Sequence, residues 1–198
     1  HMTLRAGLTT GEITYVCNNV SAEEMNNALD HGLLVSVDSL SQLETLGKIN
    51  RGGRVMVRFN PGIGAGHHQK VITAGKETKF GVDPDALPQV LELLRKYDLR
   101  LEGVNQHIGS LFMEADAYLL AVERLLETAV KFPELEIIDF GGGFGIPYRK
   151  YEGEARLDMV ALGQKLDALL KTWSDKDVYK GRFVIAPGRY VVARSSVV

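Results

Sequence analysis

Glu136-Ile137-Ile138-Asp139-Phe140-Gly141-Gly142-Gly143-Phe144-Gly145 is the stretch on which the fold turns. Its first half, EIIDF, is a short, nearly continuous apolar run, as in a parallel strand covered by helices on at least one face. Its second half places glycine at four of five positions. A strand that runs straight into glycines belongs in an α/β sheet, where ligands gather at the carboxyl ends of the strands.

Working outward, five further runs have the same character: Ile13–Cys17, Leu33–Val37, Arg54–Phe59, Leu101–Gln106 and Arg182–Ala186. Helical patterns separate them. Ser21 with Glu24 fits a capping box ahead of Met25, Ala28 and Leu29, and Gly32 stops that helix. Ser39 with Gln42 repeats the arrangement before Leu40, Leu43 and Leu46. Asp83-Pro84 opens a third helix through Leu87, Val90, Leu91 and Leu94. The fourth and clearest covers 114–130, and a fifth covers 156–173. The chain thus reads as six strands alternating with five helices, a parallel sheet that is either open and doubly wound or a (β/α) barrel. One connection is anomalous: the Gly-rich segment 60–80 is a long loop, of the kind that usually carries function or is disordered. No linker or charge block divides residues 1–198, so they read as a single domain. His1-Met2 reads as a cloning remnant.

Composition excludes several classes of function. There are 198 residues with 23 Lys plus Arg against 25 Asp plus Glu, a formal charge of −2. Interspersed charge of that balance does not suit nucleic acid, which is held by a basic face. No apolar run reaches the roughly 18–20 residues that span a bilayer. Cys17, the single cysteine, fits a reducing cytoplasm and a small buried side chain. His67-His68 point to opposite sides of an extended segment, and no metal-ligand spacing occurs elsewhere. The chemistry therefore rests on the glycine-rich strand ends.

Three of these ends are candidates. Gly141, Gly142 and Gly143 allow a close backbone approach and several N–H donors for one oxyanion, although a merely flexible turn has the same composition. Gly188 and Arg189, after the last strand, add donors and a guanidinium fork. His107 and Ser110 follow the fourth strand. In barrels and open α/β sheets these strand ends share one side.

These pieces, in order, resemble the fold-type III (alanine-racemase-like) pyridoxal-phosphate decarboxylases, and among them the diaminopimelate decarboxylase branch. The resemblance is carried by NNVSAEEM (18–25), VDSLSQL (37–43), VRFNPGIGAGHH (57–68), TKFG (78–81), QHIGS (106–110), DFGGGFG (139–145) and PGRY (187–190). It implies a TIM-type (β/α) barrel represented by six of eight βα units, with pyridoxal 5′-phosphate as cofactor. It implies that His107 stacks on the cofactor ring and that Arg58 lies at a strand end near the site. By the same resemblance Ser110, Gly143, Gly188 and Arg189 are expected to surround the phosphate, with Arg189 also meeting a substrate carboxylate. The implied reaction is release of CO2 from meso-diaminopimelate to give L-lysine, in lysine biosynthesis.

Three departures qualify this expectation. None of the 11 lysines stands in the Lys-Ala-Asn context of the family's cofactor-anchoring lysine. The family's first two strands and its C-terminal β-domain have no counterpart. Ala186 stands where the family has a glutamate that keeps the pyridine nitrogen protonated. The expectation is a partial barrel that is inactive alone. The alternative is a trimmed or engineered fragment that keeps at most a residual phosphate site. Two unpaired edges, and an inner face exposing Val55 and Val57, also predict self-association.

Overall fold

The computed structural model describes residues 2–63, 80–148, 153, 156–174, 179 and 181–193. Six strands form one sheet: β1 (Thr14–Val16), β2 (Leu34–Val37), β3 (Arg54–Arg58), β4 (Arg100–Asn105), β5 (Ile137–Gly142) and β6 (Arg182–Ala186). The helices are α1 (Met2–Arg5), α2 (Ala22–Asp30), α3 (Leu40–Ile49), α4 (Leu87–Tyr97), α5 (Asp116–Ala129), α6 (Met159–Ser174) and α7 (Gly188–Val192). Spatial order equals chain order, β1 to β6, and every neighbouring pair is parallel. An order that never reverses, joined by right-handed crossovers, puts all the connecting helices on one face. The sheet therefore curls as an arc of a (β/α) barrel, and the doubly wound alternative falls.

Local chemistry explains the boundaries. At α2 the Ser21 Oγ accepts the Glu24 N–H at 3.2 Å, while Glu24 Oε2 accepts the Ser21 N–H at 2.8 Å, a complete capping box. At α3 Ser39 accepts the Gln42 N–H, but the Gln42 side chain turns back to the Asp38 N–H at 2.9 Å. Asp83-Pro84 opens a 3₁₀ turn, Pro84–Ala86, before α4 begins. The fifth predicted helix starts at Met159 rather than 156, because the Asp158 carboxylate accepts the N–H groups of Val160 and Ala161 at 3.1 and 2.9 Å. Two sequence readings change at the carboxyl ends. Strand β5 runs through Gly142 instead of stopping at Phe140, and Gly188-Arg189 open the short helix α7 instead of lying in a loop.

The two faces of the sheet are both apolar. Val35, Val37, Val55, Val57, Val104, Ile138 and Phe140 join the helix-side core. The concave face holds Leu34, Met56 and Ile137, with Val184 against them. Val55 and Val57 are therefore fully buried under helices, contrary to their expected exposure on the inner face. Gly103 makes room for this inner layer, since a side chain there would meet the Met56 methyl and Ile137. At the amino ends of the strands Arg54, Glu102, Arg100 and Glu136 alternate in sign, with contacts of 3.2, 2.7 and 2.7 Å. At the carboxyl ends, Asn60 N–H to the Val82 carbonyl and Val82 N–H to the Arg58 carbonyl, each 2.8 Å, pin the two ends of the long 60–80 connection. Its residues 64–79, including His67 and His68, lie outside the described residues.

Candidate functional site

The site builds from the loop that follows β4. Asn105 ends the strand opposite Arg58 and Asp139, and its side-chain oxygen accepts from Ser36 Oγ at 2.8 Å across the concave face. His107 comes two residues later. Its Nδ1 receives the Gly142 N–H at 3.3 Å, and its carbonyl accepts from Arg58 Nη2 at 3.2 Å. Burial pulls the His107 imidazole below its ordinary range, and the nearby Arg58 charge adds to this.

Arg58 is 5% exposed, with its guanidinium 5.3 Å from the centre of the Phe80 ring. Burial lowers its pKa, and Asp38 at the end of β2 opposes that shift. Asp38 is itself pushed up by burial, against the pull of Arg58. Arg58 thus steadies the His107 loop from inside the protein.

The loop then takes two turns that L-residues resist. Gly109 has φ 143° and Leu111, a leucine in the left-handed region, has φ 64°, so Ser110 is carried on a strained crest. Phe112 closes the loop onto the β5 exit: its N–H reaches the Gly143 carbonyl at 3.1 Å, and its carbonyl accepts the Gly145 N–H at 2.9 Å. Ring contacts among Phe112, Tyr118 and Phe144 lock the closure from below.

The glycine run serves this crossing first. A Cβ on Gly141 would overlap the Gln106 carbonyl, and one on Gly143 would overlap that of Gly109. The Gly141 N–H is held by Asp139 Oδ1 at 2.8 Å and the Gly142 N–H by His107. Two of the three glycine donors expected to face an anion are therefore engaged within the chain.

What converges instead is side-chain chemistry. Arg189 on α7 donates from Nη2 to Ser110 Oγ at 3.1 Å and from Nη1 to the Tyr148 hydroxyl. Both hydroxyls accept from the guanidinium, so each keeps its own O–H to donate. Among the described residues Arg189 bonds to these two hydroxyls and forms no ion pair with a carboxylate. A cation flanked by two hydroxyl donors suits a phosphate or carboxylate, which accepts on every oxygen.

Gly188, exposed, is the first residue of α7 beside this group. Tyr148 escaped the sequence reading. A hollow of about 160 Å³ beside it is lined by Gly145, Ile146, Pro147, Arg156, Leu157 and Tyr190. Another hollow, about 900 Å³, runs between α1, β1 and α2 at the sheet edge and touches none of these residues. Among the described residues no group of His, Cys, Asp and Glu is placed to hold a metal ion, and no helix is long and apolar enough to cross a membrane.

The parallel (β/α)-barrel sheet thus gathers a guanidinium, two hydroxyls and a half-buried histidine at its strand carboxyl ends, chemistry that suits a small anionic ligand. The family follows from comparison. Residues 1–193 match the pyridoxal-dependent decarboxylase, pyridoxal binding domain, and the chain belongs to that family, whose cofactor is pyridoxal phosphate.

It is 38% identical over 200 residues to the diaminopimelate decarboxylase of Methanothermobacter thermautotrophicus, covering 98% of this chain and 46% of that protein. It is 34% identical over 206 residues to that of Thermoplasma acidophilum, covering 100% and 48%. The structure of diaminopimelate decarboxylase from Helicobacter pylori complexed with L-lysine superposes with a TM-score of 0.82 at 26% identity, over 94% of this chain and 48% of that one. The chain spans about half the length of the relatives it matches.

The residues present fit the phosphate and ring of this cofactor. Ser110, Tyr148 and Arg189 form a donor set without a carboxylate, and His107 is a flat side chain held by its backbone neighbours.

Proposed function

We propose that residues 1–198 are one partial barrel that holds pyridoxal phosphate for a decarboxylase acting on meso-diaminopimelate. The observation that carries this reading is the Arg189–Ser110 hydrogen bond, which joins two strand ends into one anion-binding group. When bound, the cofactor supplies an electron sink that allows an amino-acid carboxylate to leave as CO2. Ser110, Tyr148 and Arg189 bind its phosphate, with Gly143 and Gly188 alongside, and His107 presents a neutral ring to the pyridine face. In the resemblance Arg189 also meets a substrate carboxylate, and in this chain its two hydroxyl partners orient it for either anion. Arg58 orients the His107 loop. The lysine contexts and Ala186 support the further reading that these residues bind the cofactor without turning over substrate. A cytoplasmic setting and self-association belong to the same proposal. The alternative, a fragment with only a residual phosphate site, draws on the engagement of the Gly141 and Gly142 amides.

Titration of the chain with pyridoxal phosphate, followed by absorbance and by CO2 release from meso-diaminopimelate, tests the reading. Saturable binding without turnover is expected, and Ala186→Glu alone leaves turnover at background. No binding at millimolar cofactor overturns the cofactor assignment. Turnover by the unmodified chain overturns the reading that it binds the cofactor without turning over substrate.

A further inference from the structure

We infer that Asp139 is a positioning residue that fixes the tautomer of His107. The inference deepens the reading above, resting on it only in taking His107 as the side chain that faces the ligand ring. Asp139 is the last residue of β5 in regular register with β4: it pairs with Asn105, and its carbonyl accepts the Gln106 N–H at 3.0 Å. Beyond it the register of β5 with β6 shifts. Its side-chain Oδ1 accepts the Gly141 N–H at 2.8 Å, closing a turn around Gly141 with φ 71°, where the Gln106 carbonyl leaves no room for a Cβ. That turn delivers the next amide, Gly142 N–H, to His107 Nδ1 at 3.3 Å.

A backbone amide only donates, so Nδ1 must present its lone pair. The neutral ring then carries its proton on Nε2. Protonating Nδ1 would set two N–H groups against each other. Among the described residues the charged and titratable groups around this pair come from four elements: Arg58 on β3, Asp38 after β2, Asp139 on β5 and Tyr118 on α5. The downward shift of the imidazole agrees with the geometry. One carboxylate thus sets, through two glycine amides, which nitrogen of His107 holds a proton.

The test uses the 198-residue chain with 15N-labelled histidine and no cofactor. Two-bond nitrogen–proton spectra read the tautomer, and His107→Gln identifies its signals among the five histidines. The wild-type chain is expected to show His107 with an unprotonated Nδ1. Asp139→Asn removes the charge but keeps an oxygen for the Gly141 N–H, and is expected to preserve that tautomer. Asp139→Ala is expected to yield a mixture, the Nδ1–H form rising about tenfold with the loss of one hydrogen bond.

A protonated Nδ1 in the wild type overturns the inference, and this measurement needs no variant to fold. An Asp139→Ala spectrum identical to wild type overturns it too, as does Asn behaving like Ala. A parallel pyridoxal phosphate titration keeps the two proposals apart, since absent binding counts against the cofactor reading and leaves the tautomer result standing.

Discussion

Arg189 Nη2 and Ser110 Oγ lie 3.1 Å apart although 79 positions separate the residues in the chain. The barrel order makes that meeting possible: the loop after β4 leans across the exit of β5 and reaches the helix that follows β6. Each partner comes from a different βα unit, so the pair forms only when the sheet has curled. Removing either should weaken phosphate and pyridoxal phosphate binding about tenfold, as for one charge-assisted hydrogen bond. Tyr148→Phe, which deletes one O–H donor and leaves the ring, should cost somewhat less. Ser110→Ala, Arg189→Gln and the double variant, compared by absorbance titration, give the coupling directly. Additive losses would show that the two side chains act separately, against a shared anion group.

Cys17 is buried at 2% exposure, and its thiol donates to the Ser36 carbonyl at 3.2 Å. Burial first, and the Asp38 charge second, raise its pKa from 9.0 to about 11. At a pH near 8 that leaves about a hundredfold less thiolate than the unshifted group, before any steric protection. Alkylation of the folded chain should therefore be slower than in urea by at least that factor. Equal rates in the two conditions would mean that β1 and β2 open freely.

Gly47 on α3 packs against the Tyr97 ring of α4, and a Cβ there would fall inside contact distance of the Tyr97 Cβ, Cγ and Cδ2. Alanine would gain about 1 kcal/mol in helix propensity. Overpacking against atoms this close to the Tyr97 backbone costs about 1–3 kcal/mol. Steric cost should win, so Gly47→Ala lowers the urea midpoint. A rise in the midpoint would show that the two helices separate easily.

Much of the architecture was legible because burial writes itself into short apolar runs and Ser-x-x-Glu caps. The faces were not. In Arg54–Arg58 Val55 and Val57 alternate with Met56, so both sides of β3 are apolar and alternation does not say which meets the helices. The glycines were legible as a special place but not as a donor set, because the Gly141 and Gly142 amides go to Asp139 and His107, and a linear sequence does not show that closure. Tyr148 was invisible for a similar reason: nothing around it in the chain names Arg189, 41 positions on.

The His107 imidazole, held below its ordinary pKa of 6.5, is harder to protonate folded than unfolded. Its contribution to stability is present above 6.5 and is lost as pH falls toward the folded value. Asp38 and Asp139, raised above 3.8, contribute with the opposite sign, most fully below 3.8 and less as pH rises through their folded values. The urea midpoint should therefore drop between about pH 8 and about pH 5.5, and His107→Gln should flatten the drop. An equally steep fall in that variant would assign the effect to another group.

The outer strands of the described sheet, β1 and β6, carry the last prediction. Strand β1 is three residues long, and short edges resist pairing. Strand β6 is longer, and apolar side chains surround it: Ile185 is 43% exposed and Val191, on α7, 65%. Arg182 at the amino end is the one charged residue of the strand, and Phe183 to Ala186 carry none, so most of its length lacks the charge that usually guards an edge. Copies should therefore associate through β6 and α7 rather than through β1. Light scattering across a dilution series should show mass rising with concentration, and Ile185→Lys should return the chain to a monomer. Val16→Lys, placed at the other edge, should leave association intact. A monomer at every concentration would remove self-association from the account, and dissociation by Val16→Lys alone would move the contact to β1.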